Sequence, residues 1–220
     1  MNPRRPALLA AVALTAAALT LSACGGEDGS STREGNEKTV GADATRTKPS
    51  SPSPGPSDIA GRPEITFPSD AENVFEYERT GNATKDAVLQ DSTLGVNAVD
   101  EAIFEGSTST EALGFYNTDE ALEAYLTYVQ KYIDDNETWV GETRYFDYQV
   151  TLSGESGANV RYCSDESQSY IKEIGTGKVD RNPATADSYV LYSTSLAKND
   201  EGVWQATDVT SDRGSETCQP

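Results

Sequence analysis

An apolar segment near the N-terminus divides this chain and limits which residues can belong to its folded part. The segment covers residues 7–21 and follows an arginine pair at positions 4 and 5, and its last residue begins the tetrapeptide LSAC (21–24), which ends at Cys24. A positive start, an apolar centre and small residues at the exit are the parts of a secretory signal peptide. The folded part is therefore expected downstream of Cys24 and outside the cytoplasm.

The tetrapeptide that ends at Cys24 resembles the lipobox of bacterial lipoproteins. In that signal the chain is cut before the cysteine, and the cysteine sulfur carries diacylglycerol. The resemblance implies lipidation of Cys24, palmitate-type chains in the lipid bilayer, and a location on the outer face of the cytoplasmic membrane. Two acyl chains anchor a protein stably, because each buried methylene contributes about 0.8 kcal/mol.

Three other interpretations of the apolar segment fit less well. A transmembrane helix needs about 20 apolar residues, and polar residues follow Cys24 at once. An ordinary cleaved signal would end in Ala-x-Ala, and a cytosolic core helix would not precede a long polar run. The export route stays open between the general secretory and twin-arginine pathways, because Pro6 follows the arginine pair where the twin-arginine motif prefers other residues.

The composition predicts three parts in the chain: a signal peptide (1–23), a lipid-attached tether (24–61) and one folded domain (62–220). Val40 and Ile59 are the only large apolar residues of the tether, which is otherwise rich in Gly, Ser, Thr and Pro. Such a segment cannot bury enough apolar surface to fold. The third part is long enough to bury a core of its own.

Charge and missing residue types exclude several functions. The net charge of −19 repels phosphate backbones, so nucleic acid is not expected as a partner. The chain has no histidine, which removes Ser-His-Asp and Cys-His nucleophile systems and most catalytic zinc sites. Its acidic runs lack calcium-loop spacing. We therefore assign no catalytic residue, no metal ligand and no cofactor from the sequence.

Two cysteines remain once Cys24 is assigned to lipidation. Cys163 and Cys218 form an even pair in an oxidising compartment, which usually means a disulfide bond. Two buried free thiols are the alternative. A bond between them would fix the C-terminal tail to the sheet.

The first periodic segment of the third part predicts a helix over residues 84–104. Val88, Gly95 and Val99 share one face, Thr84 is the predicted N-cap, and Gly106 the predicted stop. Glycine in mid-helix costs about 1 kcal/mol relative to alanine. Close packing against a strand would explain it.

The next periodic segment upstream of residue 138 has a stronger helical pattern, and two short segments have patterns of their own. Residues 117–135 predict a second long helix, with Asn117 as N-cap and Glu120 completing a capping box. Residues 113–116 predict a short helix or buried turn between the two. Residues 65–68 predict an edge strand, followed by a capped turn up to residue 75.

From residue 138 onward the hydrophobic period changes to two, which predicts four or five antiparallel strands. Phe146 and Tyr148 are predicted to share a face. Helices followed by strands predict an α+β fold, in which N-terminal helices close the concave face of a curved antiparallel sheet, as in a cone. A lipocalin-like β-barrel is the alternative; it would need eight strands and no pair of long helices.

This order of elements resembles the nuclear transport factor 2-like, or cystatin-like cone, superfamily, and especially small secreted lipoproteins of high-G+C Gram-positive bacteria. The likeness covers residues 65–218 and rests on the element order and on the segments RYFD (144–147), RYCSDES (161–167) and GVWQ (202–205). It implies a pocket between the sheet and the first helix. Enzymes of the superfamily, such as ketosteroid isomerases and polyketide cyclases, place an Asp or His acid–base group there.

Aromatic residues supply the candidate pocket. Asp147 is the one carboxylate within an aromatic strand, but alternation places it toward solvent, so it is not assigned a catalytic role. Tyrosine-rich concave surfaces suit polar ligands or protein contacts, and an ordinary core with hydroxyls at its surface is the alternative. The candidate pocket residues are Tyr116, Tyr125, Trp139, Tyr148, Tyr162 and Tyr192.

Three functional hypotheses follow from these patterns. The first is a membrane-anchored extracytoplasmic lipoprotein that acts as a non-enzymatic binding or accessory module for a protein or small ligand. The second is a pocket acid–base enzyme of the cyclase or isomerase kind, which we favour less. The third is a cell-envelope scaffold that forms a homodimer through the outer face of its sheet.

Overall fold

The computed structural model describes residues 61–220. The predicted signal peptide, the predicted lipidation site Cys24 and nearly all of the predicted tether lie outside the described residues. Within residues 61–220, no helix is both long enough and apolar enough to cross a membrane.

The first helix, α1 (Ala83–Glu105), begins and ends at polar caps. The Asn82 side chain accepts hydrogen bonds from the backbone N–H groups of Thr84 and Lys85, at 3.0 and 3.1 Å. The predicted cap, Thr84, is therefore wrong: it lies inside the helix, because an Asx cap two residues earlier already serves the first turn. Gly106 ends the helix as predicted, in the left-handed region at φ 61°.

Two further helices, α2 (Glu111–Tyr116) and α3 (Asp119–Asp135), confirm the predicted short and long helices. The predicted capping box is wrong, because Thr118 occupies the N-cap of α3 and makes no side-chain cap. The Asn117 side chain instead donates to the Leu113 carbonyl at 3.0 Å and closes α2. Asn136 ends α3 in the left-handed region.

Six strands form one open sheet in the order β1-β2-β3-β5-β6, with the short β4 beside β3. The strands are β1 (Ala71–Phe75), β2 (Glu137–Ser153), β3 (Gly157–Glu173), β4 (Val179–Asp180), β5 (Tyr189–Lys198) and β6 (Trp204–Arg213). With the helices on one face of this curved sheet, the α+β prediction is confirmed. The sheet does not close, so the lipocalin-like alternative is wrong.

The first strand departs from the sequence prediction. Residues 71–75 pair in parallel with β2, from Ala71 opposite Gly141 to Phe75 opposite Tyr145, so the sheet is mixed rather than purely antiparallel. The predicted edge strand at 65–68 is wrong, and the predicted turn covers only residues 69 and 70, because β1 begins at Ala71. A five-residue strand has little periodicity of its own, and its partner lies far along the chain.

Bulges shape the long hairpin of β2 and β3, whose pairing shifts register twice. One bulge lies at Asp147, which adopts φ 54° and is exposed. Because a bulge inserts an extra residue and bends the strand, Tyr145 before it and Tyr148 after it both pack in the core beneath the helices. The predicted grouping of Phe146 with Tyr148 is wrong for the same reason.

The core has two main parts beneath the helices. One joins the start of α1, through Val88 and Leu89, to sheet residues such as Val160. The other joins the end of α1 to α3, β1 and Trp139, and includes Val129. The space left between these two parts is where the candidate site lies.

Gly95, in the middle of α1, has room for a side chain. An added Cβ would lie 3.6 Å from the Tyr116 Cβ and 3.7 Å from the Asn117 Oδ1, which are ordinary contacts with the end of α2. Close packing against a strand, the explanation expected from the sequence, is therefore wrong.

We expect Gly95→Ala to raise the free energy of unfolding by up to about 1 kcal/mol, because alanine is the better helix former. Urea denaturation checks this. The matched control, Gly106→Ala, should lower stability by about 1 kcal/mol, because Gly106 sits at a left-handed φ of 61°. A Gly95→Ala protein less stable than the wild type would contradict the expectation.

Candidate functional site

A half-open cavity of about 90 Å³ lies between the sheet and the helices α1 and α3. We call it the cone cavity. Its walls are mostly aromatic and hydroxylated, and two carboxylates contribute to them. The described lining residues are Val96, Val99, Asp100, Tyr125, Tyr128, Tyr132, Trp139, Thr143, Tyr145, Tyr162, Glu166, Ser169 and Tyr192.

Asp100 is the carboxylate at the inner wall of the cone cavity. Its Oδ2 accepts a hydrogen bond from the Asn73 side-chain amide at 2.7 Å, and its Oδ1 accepts one from the Trp139 indole N–H at 3.1 Å. Both donors are neutral. Burial raises the pKa of the Asp100 carboxyl to about 7, while the two hydrogen bonds act in the opposite direction.

Tyrosines from four elements surround this carboxylate. Burial holds the pKa of Tyr125 on α3 and of Tyr145 on β2 well above the usual range, and it likewise raises the pKa of Tyr162 and Tyr192. These phenols therefore stay neutral at physiological pH. A neutral phenol can donate one hydrogen bond and accept others, so these tyrosines can bind either a donor group or an acceptor group of a ligand.

We call the part of the cone cavity beside Tyr128 and Tyr132 of α3 its mouth, because Tyr128 is the most exposed residue of the wall. Tyr128 is 45% exposed, and its hydroxyl lies 3.3 Å from that of Tyr132. Across from them, Glu166 forms an ion pair with Arg213, with an Nη1–Oε2 distance of 2.7 Å. Arg213 therefore balances the negative charge of Glu166.

Four of the six candidate pocket residues line the cone cavity: Tyr125, Trp139, Tyr162 and Tyr192. Tyr148 does not; its ring stacks on Tyr162 at 5.1 Å, because the bulge at Asp147 carries it further along the sheet. That these residues bind a ligand stays a prediction.

Tyr116 also lies away from the cone cavity. It contributes to a separate small space of about 10 Å³, and its hydroxyl accepts a hydrogen bond from Arg62 at 3.1 Å. The Arg62 guanidinium also lies over the Tyr116 ring, 5.7 Å from its centroid. Asp147, expected to face solvent, is exposed and does not line the cone cavity.

Asp100 is the most consequential of the lining residues that the sequence analysis missed. Helical spacing offered a signal, because Val96, Asp100 and Ile103 follow the i, i+4, i+7 pattern of one helix face. A carboxylate on such a face is buried at a cost unless hydrogen bonds or a ligand compensate it. The partners, Asn73 and Trp139, are far away in sequence.

Within residues 61–220, no group of three or more acidic or cysteine side chains is placed to hold a metal ion.

Comparisons with known proteins give distant structural likenesses. No protein-family model matches the chain, and no curated protein matches it. A ketosteroid isomerase-like protein from Erwinia carotovora atroseptica SCRI1043 is similar at 15% identity and TM-score 0.43, over 60% of this chain and 97% of that one. The intermembrane space region of the chloroplast protein ARC6 is similar at 11% identity and TM-score 0.39, over 62% of this chain and 99% of that one. Likenesses this distant say nothing about which ligand or reaction this chain serves.

The pKa of Asp100 predicts a pH-dependent stability. Its ordinary value is 3.8 and its value in the folded chain is about 7, so between these values the folded protein holds a proton that the unfolded chain has lost. Stability should therefore fall as the pH rises from about 4 to about 7. In the wild type we expect the free energy of unfolding to decrease by on the order of 2 kcal/mol between pH 5 and pH 8, a figure that allows for solvent screening of this partly exposed group. Asp100→Asn should remove this decrease.

Urea denaturation at the two pH values measures that change. Asp208→Asn, which removes an exposed carboxylate, is the control and should stay within about 0.5 kcal/mol of the wild type at both. An Asp100→Asn protein with the same pH dependence as the wild type would contradict the assignment.

Proposed function

We propose that this chain is a lipid-anchored binding module on the outer face of the cytoplasmic membrane, and that the cone cavity holds its small ligand. One observation carries the proposal: an open cavity lined by tyrosine side chains contains a carboxylate, Asp100, that has no ion-pair partner within residues 61–220. A purely structural carboxylate is usually paired or fully hydrogen-bonded. Concave sites with a few convergent polar groups are typical ligand sites.

A fragment screen by NMR tests the binding proposal on the full-length protein. The indole N–H signal of Trp139 reports on the cavity, because this group donates to Asp100. We expect fragments that shift this signal, and we expect Ser169→Trp to abolish the shifts by filling the cavity from β3. Gln168→Trp, on the adjacent and exposed position of β3, should leave binding intact. The absence of any fragment with this pattern would overturn the proposal.

A separate experiment tests the anchor. Cys24→Ala should move the protein from the membrane fraction into the medium, because the other two cysteines of the sequence, Cys163 and Cys218, are bonded to each other. Ser31→Ala, in the same polar stretch, should leave the protein with the membrane. Membrane retention of the Cys24→Ala protein would contradict lipid anchoring. It would not affect the proposal of a ligand in the cone cavity, which the NMR screen tests separately.

An acid–base enzyme is the second candidate, and the protonation of Asp100 favours it. A carboxyl whose pKa lies near 7 can both take and return a proton at physiological pH. For any fragment that binds, incubation in D₂O shows whether its carbon-bound hydrogens exchange. Exchange that Asp100→Asn abolishes would support the enzyme, whereas binding without exchange would support the binding module.

A further inference from the structure

We infer that the ligand of the cone cavity is a small organic cation, a protonated amine, bound by the Asp100 carboxylate and the neighbouring tyrosine hydroxyls. This inference rests on the proposed function, because it names the chemical class of the ligand at the same site. Charge, hydrogen-bonding capacity and the surroundings of Asp100 support it independently.

The charge of the described cavity wall is negative. Two carboxylates line it, and no lysine or arginine does. Arg213 already balances Glu166, at 2.7 Å. Asp100 receives only the neutral N–H groups of Asn73 and Trp139. One negative charge is therefore left for a ligand to balance, and an anionic ligand would be repelled by it.

The hydrogen-bonding groups match an ammonium. Each Asp100 oxygen accepts one hydrogen bond within the described residues, and a carboxylate has about four acceptor positions in all, so acceptor capacity remains. Tyr125 and Tyr192 line the same wall, and the oxygen of a neutral phenol can accept hydrogen bonds. An ammonium group supplies three N–H donors and no acceptor.

Binding of a cation should in turn depend on the ionisation of Asp100. The ligand stabilises the charged carboxylate and so lowers its pKa, and acidification opposes binding. Of the other titratable or charged groups facing Asp100, the phenols stay neutral between pH 5 and pH 8, and Glu166 is ion-paired with Arg213. The groups are Tyr125, Tyr128 and Tyr132 on α3, Tyr145 on β2, Tyr162 and Glu166 on β3, Tyr192 on β5 and Arg213 on β6.

Three aromatic probes of similar size, one cationic, one neutral and one anionic, test the inference on the full-length protein: benzylamine, benzyl alcohol and benzoate. Each is titrated at pH 5 and pH 8 while the Trp139 indole signal is followed. We expect benzylammonium to bind tightest at pH 8, and to weaken about tenfold or more at pH 5, where a carboxyl of pKa near 7 is almost entirely protonated. Asp100→Asn should weaken it about tenfold or more at pH 8.

Controls separate this inference from the proposed function. Glu105→Gln removes an exposed charge from the same helix and should leave benzylammonium binding within about twofold, as expected for a screened surface charge. The wild-type pH comparison needs no substitution, so a variant that fails to fold does not decide the outcome. Three outcomes would overturn the inference of a cationic ligand but keep the binding site. Benzyl alcohol could bind equally well, benzoate could bind more tightly, or none of the three could bind while other fragments do. The absence of every binder would remove the proposed function itself.

Discussion

Arg62→Ala should lower the free energy of unfolding by about 3–5 kcal/mol, because it leaves a buried carboxylate without its partner. The Arg62 Nη1 lies 2.6 Å from the Asp91 Oδ1, and the two side chains are 13% and 2% exposed. The other Asp91 oxygen accepts the backbone N–H of Trp204 at 2.9 Å. This pair joins the start of the described chain to α1 and β6.

Urea denaturation measures the Arg62→Ala loss, with Arg161→Ala as the control. Arg161 is exposed on β3, so its removal should change stability by less than about 0.5 kcal/mol. Adding Asp91→Asn to Arg62→Ala should restore part of the loss, because the unpaired charge disappears while an oxygen can still accept from Trp204. This description of the pair would be contradicted if the effects of Arg62→Ala and Asp91→Asn on the free energy of unfolding simply added. A loss below about 1 kcal/mol for Arg62→Ala alone would also contradict it.

Loss of the Cys163–Cys218 disulfide should lower the free energy of unfolding by about 4 kcal/mol, the loop-entropy value for the 55-residue separation. The structure confirms the predicted bond, with the Cα atoms 5.5 Å apart. Both cysteines are buried. The bond holds the tail that follows β6 against the outer side of β3.

Matched cysteine variants check the disulfide prediction. Cys163→Ala and Cys218→Ala should each lose about as much stability as the double variant, because either one removes the same bond. Thermal or urea unfolding under oxidising and reducing conditions should then show a difference for the wild type only. A double variant within about 1 kcal/mol of the oxidised wild type would contradict the expected contribution.

Periodicity in the sequence was sufficient to predict the large elements of this fold. The helices α1 and α3 and the strands after residue 138 follow repeating patterns that local chemistry produces. The strand β1 could not be found in this way, because its pairing with β2 is parallel and distant in sequence. The bulge at Asp147 also escaped prediction, since a single inserted residue reverses the alternation beyond it.

The sequence was sufficient to predict which kinds of side chain line the candidate site, but not all of the residues that form it. A tyrosine-rich concave surface followed from composition and strand alternation, and four predicted aromatic residues do line the cone cavity. Asp100 was missed because its place in the site depends on hydrogen bonds from Asn73 and Trp139, which approach it only in the folded chain. The position of Tyr116 depends in the same way on its contact with Arg62.

The most direct test of ligand binding at the cone cavity is a crystal structure of the protein grown with its tightest-binding fragment. We predict density for the fragment between Asp100, Trp139 and Tyr192, with one of its nitrogen atoms within hydrogen-bonding distance of the Asp100 carboxylate. A fragment bound elsewhere on the domain, or a cone cavity that contains only water at saturating fragment concentration, would contradict the proposal.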